Sequence, residues 1–398
     1  MLKQWLGDLL HTSFPSTRMA FAYGSGVFTQ ATVDKVHATA TTTTTTTTDT
    51  ANDAAPMIDM VFAVDDPKKW HEENIQRNRH HYSLAAHGGA AFVTRLQRMG
   101  AHVWYNALVP VPKPYGDGRL LMKYGVISSR SLEKDLSSWS SFYISGRMQK
   151  PVAWIEGHEM SRSDNVAMLE AGRCNLKGAA SAALLLLPEK FTEGQLYETI
   201  TGLSYAGDFR MAIAENPDKV MNIVRSGDSP IRFRHLYEDV LSEMSSVVRL
   251  ESGLDGGGGS GDGGGGNSNS SSSSDDVLSA RFEQDVTPEG RAKLLRGIPL
   301  ECQRKMASQL GSRTTEGESR ESSSVVENDV CVELLEQVER RCHGDAAKVS
   351  EMYGGAMRAT LSSLVSQTAL QQTMKGLASV GVTKSVVYSI NKMKKRLK

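Results

Sequence analysis

Cysteine is scarce in this chain of 398 residues: Cys174, Cys302, Cys331 and Cys342 stand far apart, and no two form a C-x-x-C pair. That argues against a zinc site or a disulfide framework and fits a reducing compartment. Long apolar runs are missing too. The longest candidate, Gly178 to Leu187, stops at Pro188, short of the roughly 18 to 20 residues that a spanning helix needs, so no transmembrane segment is expected. Net charge is absent, with 45 basic residues against 45 acidic ones. No global field therefore draws the chain to nucleic acid, and any attraction to a membrane must be local. Four histidines cluster at His71, His80, His81 and His87, but none has a histidine or carboxylate three or four residues on. A helical zinc motif is not expected there. His81, with Tyr82 and Ser83, suits substrate orientation or a helix cap.

What is present is length enough for two or three domains and a hydrophobic share of 39%, which suits a protein with a buried core and some polar inserts. Two inserts stand out. Thr41 to Thr48 is an unbroken threonine tract inside a polar stretch at 32–56, where nothing can pack. Residues 253–276 are mostly glycine and serine, with a few aspartates and asparagines, and read as a flexible linker. Apolar runs at Ile58 to Val64, His102 to Val111 and Leu120 to Ser128 read as strands. Trp70 to Asn78, Ala90 to Met99, Leu132 to Trp139 and Asn165 to Leu187 read as helices. The expected class is α+β. Its mixed-sheet domain covers 1–187, a small helical domain covers 188–252 with about 277–310, and a helical region covers 311–398.

One stretch concentrates the chemistry. The strand-like run from Met19 ends in Tyr23-Gly24-Ser25-Gly26, and the next strand carries Asp59. Glycines at such a turn let backbone N–H groups close on a phosphate, and a carboxylate on the neighbouring strand can hold the metal bound to that phosphate. The second carboxylate of a D-h-D pair should stand at position 61, which is Val61. Asp65 shares the parity of Asp59 but lies about 20 Å further along a strand. Any second acidic ligand must come from elsewhere, or phosphate oxygens and water complete a magnesium shell. Lys123 interrupts an otherwise buried run, Leu120 to Val126, and so needs an anionic partner such as a triphosphate or carboxylate. Arg147 and Lys150 flank a glycine and suit a phosphate clamp.

The last seventeen residues carry Lys384, Lys392, Lys394, Lys395, Arg396 and Lys398 and no acid. Val382, Val386, Ile390, Met393 and Leu397 fall on one stripe of a helix about 25 Å long. A basic amphipathic helix at 382–398 is expected to lie on an anionic bilayer surface.

These segments together resemble a known family, the mitochondrial phosphatidate cytidylyltransferases, or CDP-diacylglycerol synthases, also called the translocator assembly and maintenance family. The resemblance rests on Tyr23-Gly24-Ser25-Gly26-Val27-Phe28, Asp59 with Asp65-Asp66-Pro67, Trp70-His71 with Asn74, and His81-Tyr82-Ser83. It continues through Lys123-Tyr124-Gly125-Val126, Asp135 with Trp139, Gly146-Arg147, and Gln149-Lys150-Pro151-Val152. Gly202 to Tyr205, Gly207 to Met211, Lys219-Val220 and Lys384 to Ser389 extend it almost to the end. The two inserts and a weaker match at 281–374 are the departures.

The resemblance implies a nucleotidyltransferase-type domain, a winged-helix-like second domain and a membrane-associating C-terminal helix. It also implies magnesium-dependent joining of CTP and phosphatidate at the matrix face of the mitochondrial inner membrane, feeding cardiolipin synthesis. Gly24, Ser25, Gly26, Lys123 and Tyr124 would hold the nucleotide, and Asp59 the magnesium. Arg147, Lys150 and Arg210 would take the lipid phosphate. Two other readings stay open: nucleotidyl transfer to a different acceptor, and a non-enzymatic role in maintaining the import machinery.

Overall fold

The computed structural model describes residues 2–24, 27, 57–83, 87–114, 118–155, 157–160, 165–213, 218–251, 278–310, 323–343 and 345–380. The threonine-rich insert, the Gly/Ser linker and the segment 381–398 lie outside the described residues.

The chain opens with α1 (Leu2–Ser13), whose Leu6, Leu9 and Leu10 are buried, so this amphipathic stretch is part of the folded domain. Then come β1 (Met19–Tyr23), β2 (Ile58–Val64), α2 (Pro67–Arg77), α3 (Gly89–Gln97), β3 (Val103–Pro112), β4 (Arg119–Ser128), α4 (Ser129–Ser138), α5 (Ser145–Met148) and β5 (Ala153–Trp154). The five strands form one mixed sheet in the order β3-β4-β2-β1-β5. Only β2 and β4 run parallel; the other pairs are antiparallel.

Side chains alternate across this sheet with period two. Ala20, Ala22, Met60, Phe62, Met122, Tyr124 and Val126 point into one apolar layer, closed by Leu6, Leu9, Phe14 and Trp70. Met19, Phe21, Val61, Ala63, Val103, Tyr105 and Ile127 point into the other, closed by Leu132, Leu136 and Ile144. Helix starts follow from the sequence. Asp66 caps α2 by accepting from the backbone N–H groups of Lys68 and Lys69, with Pro67 at the first helical position, and Ser128 caps α4.

The rest is mainly helical: α6 (Val166–Leu186), α7 (Glu193–Leu203), α8 (Phe209–Ile213), α9 (Lys219–Arg225), α10 (Ser229–Glu243), α11 (Pro288–Gly297), α12 (Leu300–Gln309), α13 (Ser323–Cys342) and α14 (Ala346–Val380). They pack around one core that includes Leu184, Tyr197, Phe233, Leu294, Met306, Leu334 and Met357. The small helical domain read at 188–252 and about 277–310 also carries strands. Strands β6 (Lys190–Thr192), β7 (Val248–Leu250) and β8 (Arg281–Gln284) make an antiparallel sheet in the order β6-β8-β7. Leu250 pairs with Phe282, so the chain leaves and re-enters this sheet at neighbouring positions. Among the described residues no helix is long and apolar enough to cross a membrane.

Candidate active site

Three strands bring the predicted residues together. Antiparallel pairing sets Tyr23 opposite Asp59, and parallel pairing sets Asp59 opposite Lys123. All three point to the α4 side of the sheet, and Lys123 Nζ lies 3.7 Å from Asp59 Oδ1. Gly24 follows Tyr23 with φ of +83°, a backbone conformation that glycine adopts without steric cost. A Cβ at Gly24 would stand 3.9 Å from Asp59 Oδ2, so the turn and the carboxylate share one edge of the sheet. The Gly24 carbonyl accepts from the backbone N–H of Val27. Ser25 and Gly26 lie outside the described residues.

Around this edge stands a group of aromatic and cationic side chains. Lys123 Nζ lies 4.7 Å above the Tyr105 ring. Arg147, on α5, is held between two rings, its Cζ 4.8 Å from the centre of Tyr23 and 4.7 Å from that of Tyr143. Its Nε is buried with no hydrogen-bond partner among the described residues. Burial raises the Tyr23 hydroxyl above its ordinary pKa and pushes Tyr105 up to about 12. Tyr143 differs. Burial works to raise it, but the charges of Arg147, Lys123 and Arg210, with a hydrogen bond to Arg147, outweigh burial and bring it down to about 8.

The second unit completes the surround. A Cβ on Gly146 would fall 2.7 Å from Ser204 Cβ, so only glycine lets α5 approach the end of α7 this closely. Lys150 Nζ donates to the Gly146 carbonyl and to Ser204 Oγ, the latter at 2.8 Å. Lys150 and Lys219 place their ammonium groups 5.3 and 4.8 Å from the centre of the Tyr205 ring. Burial, then repulsion from Arg147 and Lys219, drives the Lys150 pKa well below its ordinary value. Arg210 is already engaged: Nε and Nη2 both bond the Asp208 carboxylate, the latter at 2.7 Å. Among the described residues five basic side chains thus gather near two carboxylates, Asp59 and Asp208, and such an excess is suited to a polyanion.

Not every expected residue faces this edge. Tyr124 points to the opposite side of the sheet and is completely buried. Its hydroxyl accepts from Asn74 Nδ2 at 2.9 Å and Asn106 Nδ2 at 2.8 Å and reaches His81 Nδ1 at 3.1 Å. Tyr124 therefore fixes the strand that presents Lys123. His81 belongs to the same network, as does His71, which bridges Tyr82 and Gln97. Asp65 stands at the far end of β2, bonded to Arg18 and Ser129. Lys384, Lys392, Lys394, Lys395, Arg396 and Lys398 lie outside the described residues. Sequence reasoning gave no role to Tyr143, Tyr105, Tyr205 or Lys219. Tyr205 and Lys219 sat within segments quoted for the resemblance, whereas Tyr143 lies in an irregular loop with no periodic signal.

That loop is ordered by Asp135. Its carboxylate accepts from the backbone N–H groups of Ser141, Phe142, Ile144 and Ser145 and from Ser141 Oγ, at 2.8 to 3.0 Å. The bonds carry the chain from α4 into α5 and so place Tyr143 and Arg147.

The family described as "Phosphatidate cytidylyltransferase, mitochondrial" matches residues 6–395. A Xenopus laevis protein of that name is 36% identical over 383 residues, covering 96% of this chain and 90% of its own. The Mus musculus protein of the same name is 34% identical, with the same two coverages. The Schizosaccharomyces pombe one is 33% identical, over 95% of this chain and 80% of its own. The chain therefore belongs to the mitochondrial phosphatidate cytidylyltransferase family.

Proposed function

We propose that this protein transfers a cytidylyl group from CTP to phosphatidate, releasing pyrophosphate and forming CDP-diacylglycerol. The observation that carries the reading is the Asp59–Lys123 pair beside the Gly24 turn, facing Arg147 and Lys150, in a chain of this family. A phosphatidate oxygen forms the new bond to the α-phosphorus of CTP, and the bond to the β-phosphate bridging oxygen breaks, its electrons leaving with pyrophosphate. The attacking oxygen is already anionic, so no activated serine or cysteine is needed. Positioning and charge neutralisation supply the rate.

The Gly24 turn, with Ser25 and Gly26, cradles the triphosphate, and Lys123 neutralises a phosphate oxygen. Arg147 and Lys150 take the lipid phosphate. Arg210 acts through its field, since Asp208 holds its guanidinium. Asp59 offers a hard oxygen donor next to the phosphate turn, which fits magnesium held by one carboxylate, phosphate oxygens and water. Bound there, the ion would supply charge neutralisation on the triphosphate. Among the described residues no three acidic, histidine or cysteine side chains cluster into a fuller metal site.

The mixed sheet suits a nucleotidyltransferase-type domain, and the small antiparallel sheet with its helices suits a winged-helix-like one. The relatives' names support a mitochondrial setting. There the basic segment 382–398 would hold the enzyme peripherally on the matrix face of the inner membrane, supplying cardiolipin synthesis.

The deciding experiment is pyrophosphate release by the purified protein with CTP or ATP, with and without phosphatidate, and with and without magnesium. Release that requires CTP, phosphatidate and magnesium supports the reading. Release without phosphatidate overturns it, and equal turnover by Asp59→Ala overturns the assignment of magnesium to Asp59.

A further inference from the structure

Away from the active site, the exposed face of α3 carries apolar and basic side chains and no acid. Phe92, 43% exposed, shares one line along the helix with Arg95, and Met99, in the turn that follows, is 60% exposed. Beside that line, Lys68 of α2 joins Thr94, Arg95 and Arg98 around an open pocket of about 420 Å³. Glu72 is the acid that lines the adjoining groove.

The end of α14 extends this face. Lys375 Nζ donates to the carbonyls of Gln97 and Met99, at 3.2 and 2.6 Å, and Gln371 packs against Gly100. Flanking these contacts, Leu370 and Met374 are 56% and 65% exposed. Large apolar side chains are thus left in water next to three cations, at the place where the chain passes on to its basic last segment.

We infer that this face, built from Phe92, Arg95, Arg98 and Met99 of α3 and its following turn, Lys68 of α2, and Leu370 and Met374 of α14, docks on an anionic phospholipid bilayer. The apolar side chains enter the acyl boundary, and the cations hold headgroup phosphates in the pocket. The occupant is argued from charge and continuity: an anionic bilayer matches the exposed apolar residues and the excess of positive charge together, and the face adjoins the point where the chain passes on to its basic last segment. The inference rests on the reading that the lipid substrate is met at a membrane, and it adds a second contact from the folded domain to that of 382–398.

The test uses the full-length protein and phosphatidylcholine vesicles with or without an anionic phospholipid. Phe92→Ser, Met99→Ser and Met374→Ser combined should lower the vesicle partition coefficient about tenfold. Arg95→Gln with Arg98→Gln should lower it about tenfold on anionic vesicles alone and flatten the salt dependence. Turnover of a short-chain, water-dispersed phosphatidate should stay at the wild-type level in both. Undiminished vesicle binding by both variants overturns the inference, as does a loss of self-association in sedimentation with vesicle binding intact. A wild-type protein that ignores anionic vesicles while turning over the dispersed substrate overturns the membrane contact and leaves the reaction standing. If the apolar variant does not fold, the arginine pair decides.

Discussion

Asp59 and Lys123 stand directly opposite each other on the two parallel strands of the sheet, with their charged groups 3.7 Å apart. Both are partly exposed, so the pair is a device for placing charge at the sheet edge more than a source of stability. Lys123→Met and Asp59→Asn should each lower kcat/KM by about 100-fold or more, in line with removal of one preorganised electrostatic group. Thermal midpoints should shift by only a few degrees. Pyrophosphate release together with circular dichroism melts checks both; a large shift in melting with modest activity loss would make the pair structural.

Tyr143 should set an alkaline limit on turnover. Its hydroxyl is lowered to about 8 from an ordinary value of 10. Above pH 8 the phenolate pairs with Arg147 and Lys123, and that charge is withdrawn from phosphate. Activity should decline as pH rises past 8, and Tyr143→Phe should remove the decline. The fold moves the other way: between 8 and 10 an unfolded chain keeps a proton that the native one has lost, so stability from this group grows with pH. The decline would therefore be separable from unfolding by recording melts across the same range.

His71 makes the opposite face of the sheet sensitive to acid. Burial lowers its imidazole to about 4, although the hydrogen bond to Gln97 opposes this. Between 6.5 and 4 the unfolded chain binds the proton and the native one does not, so stability falls as pH drops through that window. The full loss is ~3 kcal/mol. Denaturant titrations at pH 7 and pH 4.5 should show it in the wild type, and His71→Gln should lose less over the same interval.

Asp135 accounts for the order of the loop that carries Tyr143. Removing its carboxylate leaves four buried backbone donors without an acceptor, which costs at least ~3 kcal/mol. Asp135→Ala should therefore melt well below the wild type and bind CTP poorly. Asp135→Asn, which keeps one acceptor oxygen, should fall between them. Equilibrium denaturation and nucleotide titration distinguish the three proteins.

Much of the sheet was legible because its strands alternate or run apolar over seven to ten residues, and the charges of Asp59 and Lys123 stood out against that background. Their pairing was not, since register between strands separated by two helices and another strand is decided by packing and not by local pattern. The same reason hid the second sheet: β6, β7 and β8 have three or four residues each and meet only in three dimensions. Tyr124 shows the reverse case. It adjoins Lys123 in a matching segment, yet one step along a strand turns a side chain to the other face.

The pairing of Leu250 with Phe282, like that of Tyr23 with Asp59, means that both low-complexity tracts begin and end on neighbouring strands already tied together. Lengthening or shortening either tract leaves its two anchors where they were, at an entropic cost that changes only logarithmically with size. Such positions put little restraint on copying drift, so gaps among relatives should collect there. The glycine–serine tract would also accept an inserted reporter domain without disturbing either core.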